Sequence, residues 1–584
     1  MKTILRLFSL LVSIAAGLYF SDVIGYQWYK VTSPKTVVYT AKSIVTMDEN
    51  LPWAQAVVVE DGRILAVGDK AQLLKDLSDK PYVIDEQFAD KTIMPGFIEQ
   101  HLHPLLGALT LSMAVIAPEA WELPDKTWPA AIGRDDYLAK LAGEEKLSNE
   151  DVLFSWGYHQ YFHGDLSRAA LDEISASRPI VVWHRSCHEF YLNTAAIEKY
   201  GITQKEIDAA GDEVAKQSNI QRGHFYENGA FQYIVQLIMP DLASPTRLLS
   251  GLSQMIEILH SNGVTAFNEP GALVDNNILL AYKLTLQRLN TPLYSFFIPE
   301  AKTSFVEFGA QGVLTAVEGI TQSLPQTGKA RFFDKQVKLL MDGAIISQLM
   351  QMKDGYLDGH HGEWIQTPEE IDTLTKIFWD AGYQIHIHVN GDLGLEELLT
   401  ILENRMQENP RVDHRTTIVH FANSAPEHIQ RLKDLGAIVS ANPYYVTAFA
   451  NKYSEFGVGP ERAQAMVRLA PLEELGVSIS LHSDLPMAPA DPLYLAWAAV
   501  TRDTLEGGSV KPELGLSVDK ALRAITIDAA YSWRMEDEIG SITKGKVANF
   551  TVLDENPYEV MPAALKDIGI WGTVFEGRVF QVID

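Results

Sequence analysis

Four short apolar segments of this chain each run into side chains that bind metals. They read Gly96-Phe97-Ile98-Glu99-Gln100-His101-Leu102-His103, Tyr383-Gln384-Ile385-His386-Ile387-His388, Thr417-Ile418-Val419-His420 and Ser480-Leu481-His482-Ser483-Asp484. Strand residues two apart point the same way, so His101 shares a face with His103, and His482 with Asp484. Imidazole and carboxylate at the ends of apolar strands are what a catalytic divalent ion needs. Ligands spread this widely along a chain predict an α/β fold, a (β/α)8 barrel that gathers them at one end.

The rest of the sequence fits that frame. A length of 584 residues exceeds one small domain and allows a barrel plus an accessory domain. A net charge of -27 repels phosphates and argues against a nucleic-acid partner, leaving solubility as its ordinary meaning. The single cysteine, Cys187, rules out an internal disulfide and reads as a buried, inert thiol. At the N-terminus, Lys2 and Arg6 precede an apolar run from Leu7 to Phe20, with Tyr26, Trp28 and Tyr29 beyond it. That pattern predicts export, periplasmic or membrane-anchored, by a cleaved signal or a retained anchor that associates with the membrane.

Both ends of the remaining chain read as short strands. Ala56 to Gly68 is a hairpin with an Asp61-Gly62 turn, and Val547–Asp554 and Gly572–Phe580 repeat that texture. Together they predict a composite β-sandwich formed by the N- and C-terminal segments. Between them, strands alternate with helices. Thr367-Pro368-Glu369-Glu370 is a capping box that opens a helix ending at Gly382. Ser424-Ala425-Pro426-Glu427 opens another, ending near Gly436. The stretch from about Gly107 to Gly263 is rich in Trp, Tyr and His and reads as barrel elements plus an insertion near the site mouth. The expected organisation is therefore 1–33 signal or anchor, 34–93 sandwich, 94–535 barrel with insertion, and 536–584 sandwich again.

Taken one at a time, the candidates have ordinary readings. A lone histidine is more often a hydrogen-bonded core residue than a ligand. By spacing alone, Lys338 in Gln336-Val337-Lys338-Leu339-Leu340-Met341-Asp342 reads as an edge-strand lysine or as a partner of Asp342. Asp484 differs, because a carboxylate ending an apolar strand needs a cation. A metal supplies one, and the carboxylate can also take a proton from water.

The combined set resembles the amidohydrolase superfamily, in its N-substituted formamide deformylase-like branch. The segments that carry the likeness are Met94-Pro95-Gly96-Phe97-Ile98 with His101 and His103, Val337-Lys338 with Asp342-Gly343, His388 with Gly391-Asp392, Val419-His420, and Ser483-Asp484 with Asp491-Pro492. The tail from Gly540 to Phe550 is typical too. The resemblance implies the barrel and the composite sandwich. It implies His101, His103, His388, His420 and Asp484 as ligands of one or two divalent ions, zinc first among them. It raises Lys338 to a carbamylated bridging ligand. His188 and Glu227 match family residues near the substrate. Glu99 stands where the pattern has Asp, Asn390 where it has an apolar residue, Ala344 where it has Ser, and His482 where it has Gly. His482, on the face of Asp484, is expected to narrow the pocket or touch the substrate.

The function implied is metal-dependent hydrolysis of a non-peptide C–N bond (amide, N-acyl or N-formyl) in a small molecule, with Asp484 shuttling the proton. A metal-dependent esterase or lactonase, or an exported binding protein without turnover on the same fold, is the alternative. A homo-oligomer is compatible with the sequence.

Overall fold

The structure, a computed structural model, describes Asp22, Ile24, Gln27 and residues 35–123, 126–272 and 276–583. Apart from those first three residues, the expected export segment lies outside the described residues. No helix among the described residues is long and apolar enough to cross a membrane.

Eight parallel strands form the centre: β1 (Phe97–Glu99), β2 (Val264–Ala272), β3 (Tyr294–Pro299), β4 (Gln336–Leu340), β5 (Gln384–Val389), β6 (Thr417–His420), β7 (Ile438–Ala441) and β8 (Ile479–Leu481). Neighbours pair in parallel register from β1 to β3 and from β4 to β8. A parallel bridge between Glu300 and Lys338 joins β3 to β4. Just past the strand ends, the Asp484 N–H donates to the His101 carbonyl at 2.9 Å, linking β8 back to β1. Such strands are buried on both faces, so polar residues such as Lys338, His386 and Ser440 point inward among apolar neighbours instead of facing water. β6, β7 and β8 are buried at every residue.

Helices follow the strands as the sequence predicts. Thr367 caps Pro368–Asp380 in a complete capping box with Glu370. The next predicted cap is corrected. Helix Pro426–Leu435 starts after Ala425 rather than at a serine, and His428 Nδ1 accepts the Ala425 N–H at 3.1 Å. The helix still ends at Gly436, in the left-handed region with φ of 72°.

Between β1 and β2 the chain inserts a sheet of six strands, ordered Ser218–Asn219, His224–Tyr226, Glu189–Leu192, Ile180–His184, Leu153–Tyr158 and Ala114–Val115. The barrel elements of that stretch are helices Pro104–Leu111 and Pro245–Ser261, not strands. They touch backbone to backbone, since a Cβ on Gly251 would lie 2.0 Å from the Ala108 carbonyl oxygen.

The termini form one mixed sheet of seven strands. Strands 36–45, 53–60, 63–68 and 83–95 are joined by 550–553, 570–575 and 578–581. The hairpin of strands 53–60 and 63–68 turns at Asp61-Gly62, both with positive φ, as a two-residue turn requires. The sheet curls over, so that Ile64 N–H donates to Lys546 O and Ala548 N–H to Gly62 O, both at 2.9 Å. Tyr39, Val57, Phe88, Ile93, Phe550 and Val574 fill the fold it makes.

Candidate metal centre

The β1 and β8 ends build the tightest part of the site. His101 Nε2 lies 3.2 Å from His103 Nε2, and each of these nitrogens lies 3.3 Å from Asp484 Oδ1. Three donors around one ion at 2.0–2.1 Å in a tetrahedron stand about 3.3 Å apart. Asp484 Oδ1 and His101 Nδ1 are buried and satisfy no hydrogen-bond geometry within the protein. A buried carboxylate oxygen in that state is the structure's own argument that a cation belongs there. Asp484 also sits in the left-handed region (φ 60°), as does His420 (φ 78°). Non-glycine residues are held there at a cost, which functional sites commonly carry.

Burial pulls His101 and His420 well below the usual imidazole range, and His388 down to about 3. These rings are therefore neutral and keep a lone pair to offer. Burial also pulls His103 down, but the carboxylates of Asp484 and Glu269 beside it prevail and raise it to about 9.

The predicted ligands fall into two groups. His101, His103 and Asp484 come together, and so do His101, His420 and His482. His388 and Lys338 belong to neither. The His388 ring packs against His420 with centroids 4.4 Å apart, while its Nε2 lies 2.9 Å from Asn390 Nδ2. Lys338 corrects the reading from spacing. It is not on an edge and not paired with Asp342. It is 2% exposed, and its amine has no hydrogen-bond partner. Its charge would act on His101, His386, His388, His420 and His482. Burial pulls the amine down to about 7. Asp342 instead accepts N–H groups from Asn390, Gly391 and Gln351 at 2.8–2.9 Å, pinning the loop that follows β5. Gly391 is needed in that loop, because a Cβ there would lie 2.0 Å from the Gln351 carbonyl oxygen.

The insertion sheet brings a further histidine near the centre. His188 Nδ1 lies 3.2 Å from both Glu227 carboxylate oxygens. The negative charges of Glu227 and Asp484 act on His188, and its own charge acts on His388. Against burial, Glu227 raises His188 above the usual imidazole value. Cys187 is buried and its thiol is pushed up by burial, so it is inert as expected.

Two carboxyls escaped the sequence reading. Glu269, within β2, lies 3.7 Å from His103 Nδ1 and places a carboxylate beside that ring. The signal was an acid inside an otherwise apolar strand, Val264-Thr265-Ala266-Phe267-Asn268-Glu269. Glu99 was noted only as a departure. Its Oε1 accepts the Ser483 N–H at 2.9 Å, tying β1 to β8, and burial pushes its carboxyl up to about 8.

Comparisons agree with this architecture. A hydrolase described as metal-dependent and uncharacterized, from Pyrococcus horikoshii, superposes with a TM-score of 0.69 at 20% identity, covering 90% of this chain and 99% of that one. A similar hydrolase from Pyrococcus furiosus gives 0.66 at 20% identity, over 90% of this chain and all of that one. Among characterised sequences, N-substituted formamide deformylase of Arthrobacter pascens is 24% identical over 94% of this chain and 98% of its own length. Protein LONG AFTER FAR-RED 3 of Arabidopsis thaliana is 22% identical over 94% and 93%. Residues 89–581 match the amidohydrolase family, and with most of its length inside that match the chain belongs to this family of hydrolases acting on carbon–nitrogen bonds.

Proposed function

We propose that this protein hydrolyses the C–N bond of a small N-acyl or N-formyl amide at a centre that holds a divalent metal ion, zinc by preference. The observation that carries the reading is the triangle of His101 Nε2, His103 Nε2 and Asp484 Oδ1, with edges of 3.2–3.3 Å around a buried, unsatisfied carboxylate oxygen. When bound, such an ion lowers the pKa of water from 15.7 to about 7 and polarises the carbonyl under attack. Asp484, beside that water, takes its proton and hands it to the departing nitrogen. His188, held by Glu227 at the mouth, orients the substrate. The likeness to a formamide deformylase supports a formyl or short acyl group on the carbonyl side.

Lys338 fits a second role. A buried amine pulled down to about 7 has about half its population uncharged at neutral pH, and that half is free to react with CO2. We infer that its carbamate supplies the anionic oxygen that brings His388 and His420 into a second metal position. Intact mass and carbon-13 NMR after growth with labelled bicarbonate would show the added carboxylate. An unmodified lysine in fully loaded protein would exclude it.

The test of the main reading is a panel of N-formyl amides, N-acyl amides, esters and lactones offered to metal-loaded protein and to Asp484→Asn. Amide turnover that disappears in the folded variant supports it. Ester turnover alone would make it an esterase, and inertness throughout would favour a binding protein. The basic N-terminus and the run Leu7 to Phe20 support export as a further proposal. Cell fractionation with N-terminal sequencing distinguishes a cleaved signal, a retained anchor and a protein that stays inside.

A further inference from the structure

His482 replaces the family's glycine, and the hydrogen bonds below it fix where its proton sits. The chain of contacts starts at the Ala529 carbonyl, which can only accept. Ser532 Oγ donates to it at 2.7 Å, so that hydroxyl has no proton left and accepts from Gln100 Nε2 at 3.2 Å. Gln100 then presents Oε1 to Ser440 Oγ, which donates to it at 2.5 Å. With its single proton committed, Ser440 accepts from His482 Nδ1 at 2.8 Å. A neutral imidazole carries one proton. His482 therefore holds its proton on Nδ1 and a lone pair on Nε2. That lone pair faces His420 Nδ1 at 3.2 Å. The Tyr445 hydroxyl oxygen lies 3.3 Å and Asp484 Oδ2 3.7 Å from the same nitrogen. Two ring nitrogens in hydrogen-bond contact need one proton between them, and with the His482 proton committed to Ser440 it lies on His420 Nδ1.

We propose that His482 is a positioning residue of the metal centre: its Nε2 accepts the Nδ1–H of His420, and so keeps the lone pair of His420 on Nε2, the atom left to bind an ion. The inference rests on the metal-centre reading above. It gives the strongest departure from the family pattern a role inside the barrel: His482 is fully buried, with Ser440 on one side and His420 on the other. Outer hydrogen-bond partners that orient metal-binding histidines are typically worth about 10–100-fold in metal affinity.

The experiment compares His482→Gln with His482→Leu in the full-length protein. Glutamine keeps a donor for Ser440 and an acceptor for His420, whereas leucine keeps only bulk. Zinc affinity is measured against a competing chelator, stoichiometry by elemental analysis, and ligand field by the visible spectrum after cobalt substitution. Thermal melts of the metal-free proteins report folding separately. The expected result is near-native affinity and cobalt spectrum in the glutamine variant, with about a 10–100-fold loss in the leucine variant. Equal affinity in all three proteins would reduce His482 to a filler and overturn the proposal. Equal loss in both variants with a changed cobalt spectrum would make His482 a ligand itself, which also overturns it. Should the leucine variant not fold, nitrogen-15 NMR of histidine-labelled, metal-free native protein decides. A protonated Nδ1 on His420 is expected, and an unprotonated one refutes the inference. A native protein that binds no metal at all would instead sink the reading on which this one stands.

Discussion

The two sides of the metal centre are built to different standards. On the β1 and β8 side, His101, His103 and Asp484 already stand at the separations of a tetrahedral edge, and Glu269 braces His103 from behind. On the β4 and β5 side, Lys338 has an amine with no partner, and Asn390 covers His388 Nε2. The first side is arranged by the fold alone. The second lacks an anionic oxygen and needs chemistry or an ion to complete it. On the two-ion form of the proposal, such asymmetry predicts metal equivalents of unequal affinity, the tighter held by His101 and His103.

The largest effect that would break this contrast is expected from Asp484→Asn. Turnover should fall by about 10²–10⁴-fold, the range of a lost acid–base group, with the circular dichroism spectrum unchanged. Next, His101→Ala combined with His103→Ala should remove the tight equivalent, read by elemental analysis after dialysis. If that pair retains full metal content, the β1 side is not the anchor. Lys338→Met should lose only the weaker equivalent and become insensitive to bicarbonate. Loss of both equivalents would show that the two sides are not independent. Glu269→Gln should weaken the tight equivalent by about 10–100-fold and leave the other unchanged. The smallest expected change is a control far from the centre. Thr367→Ala should cost about 1 kcal/mol of stability in a denaturant titration, through the lost cap, and alter neither metal equivalent.

Much of the fold was legible because its signals are local. The Asp61-Gly62 turn, the Thr367 capping box and the histidines at the strand ends each depend on residues a few positions apart. What was not legible depends on neighbours distant in sequence. Lys338 reads as an edge lysine until β3 and β5 close on either side of it. The insertion sheet brings together six short strands with no fixed period, and two of them are only two residues long. Glu269 carried a signal of the same kind as Asp484, but without a histidine beside it. Ala425 begins its helix without a capping side chain, and a residue inside that helix, His428, accepts the Ala425 N–H instead. The relay beneath His482 was invisible for the same reason: its four side chains come from residues 100, 440, 482 and 532.

The terminal sheet has a consequence for how the molecule comes into being. The Tyr39 hydroxyl donates to the Gly577 carbonyl across 538 positions, at 2.8 Å. On the ribosome, the earliest strands therefore emerge long before the last ones that complete their sheet, and meanwhile leave unpaired edges open to other chains. The open edge is that of strand 83–95, which stays unpaired until 550–553 arrives. A stop codon slightly early would remove 578–581 and bare the edge of 570–575, and one before residue 550 would leave strand 83–95 exposed as well.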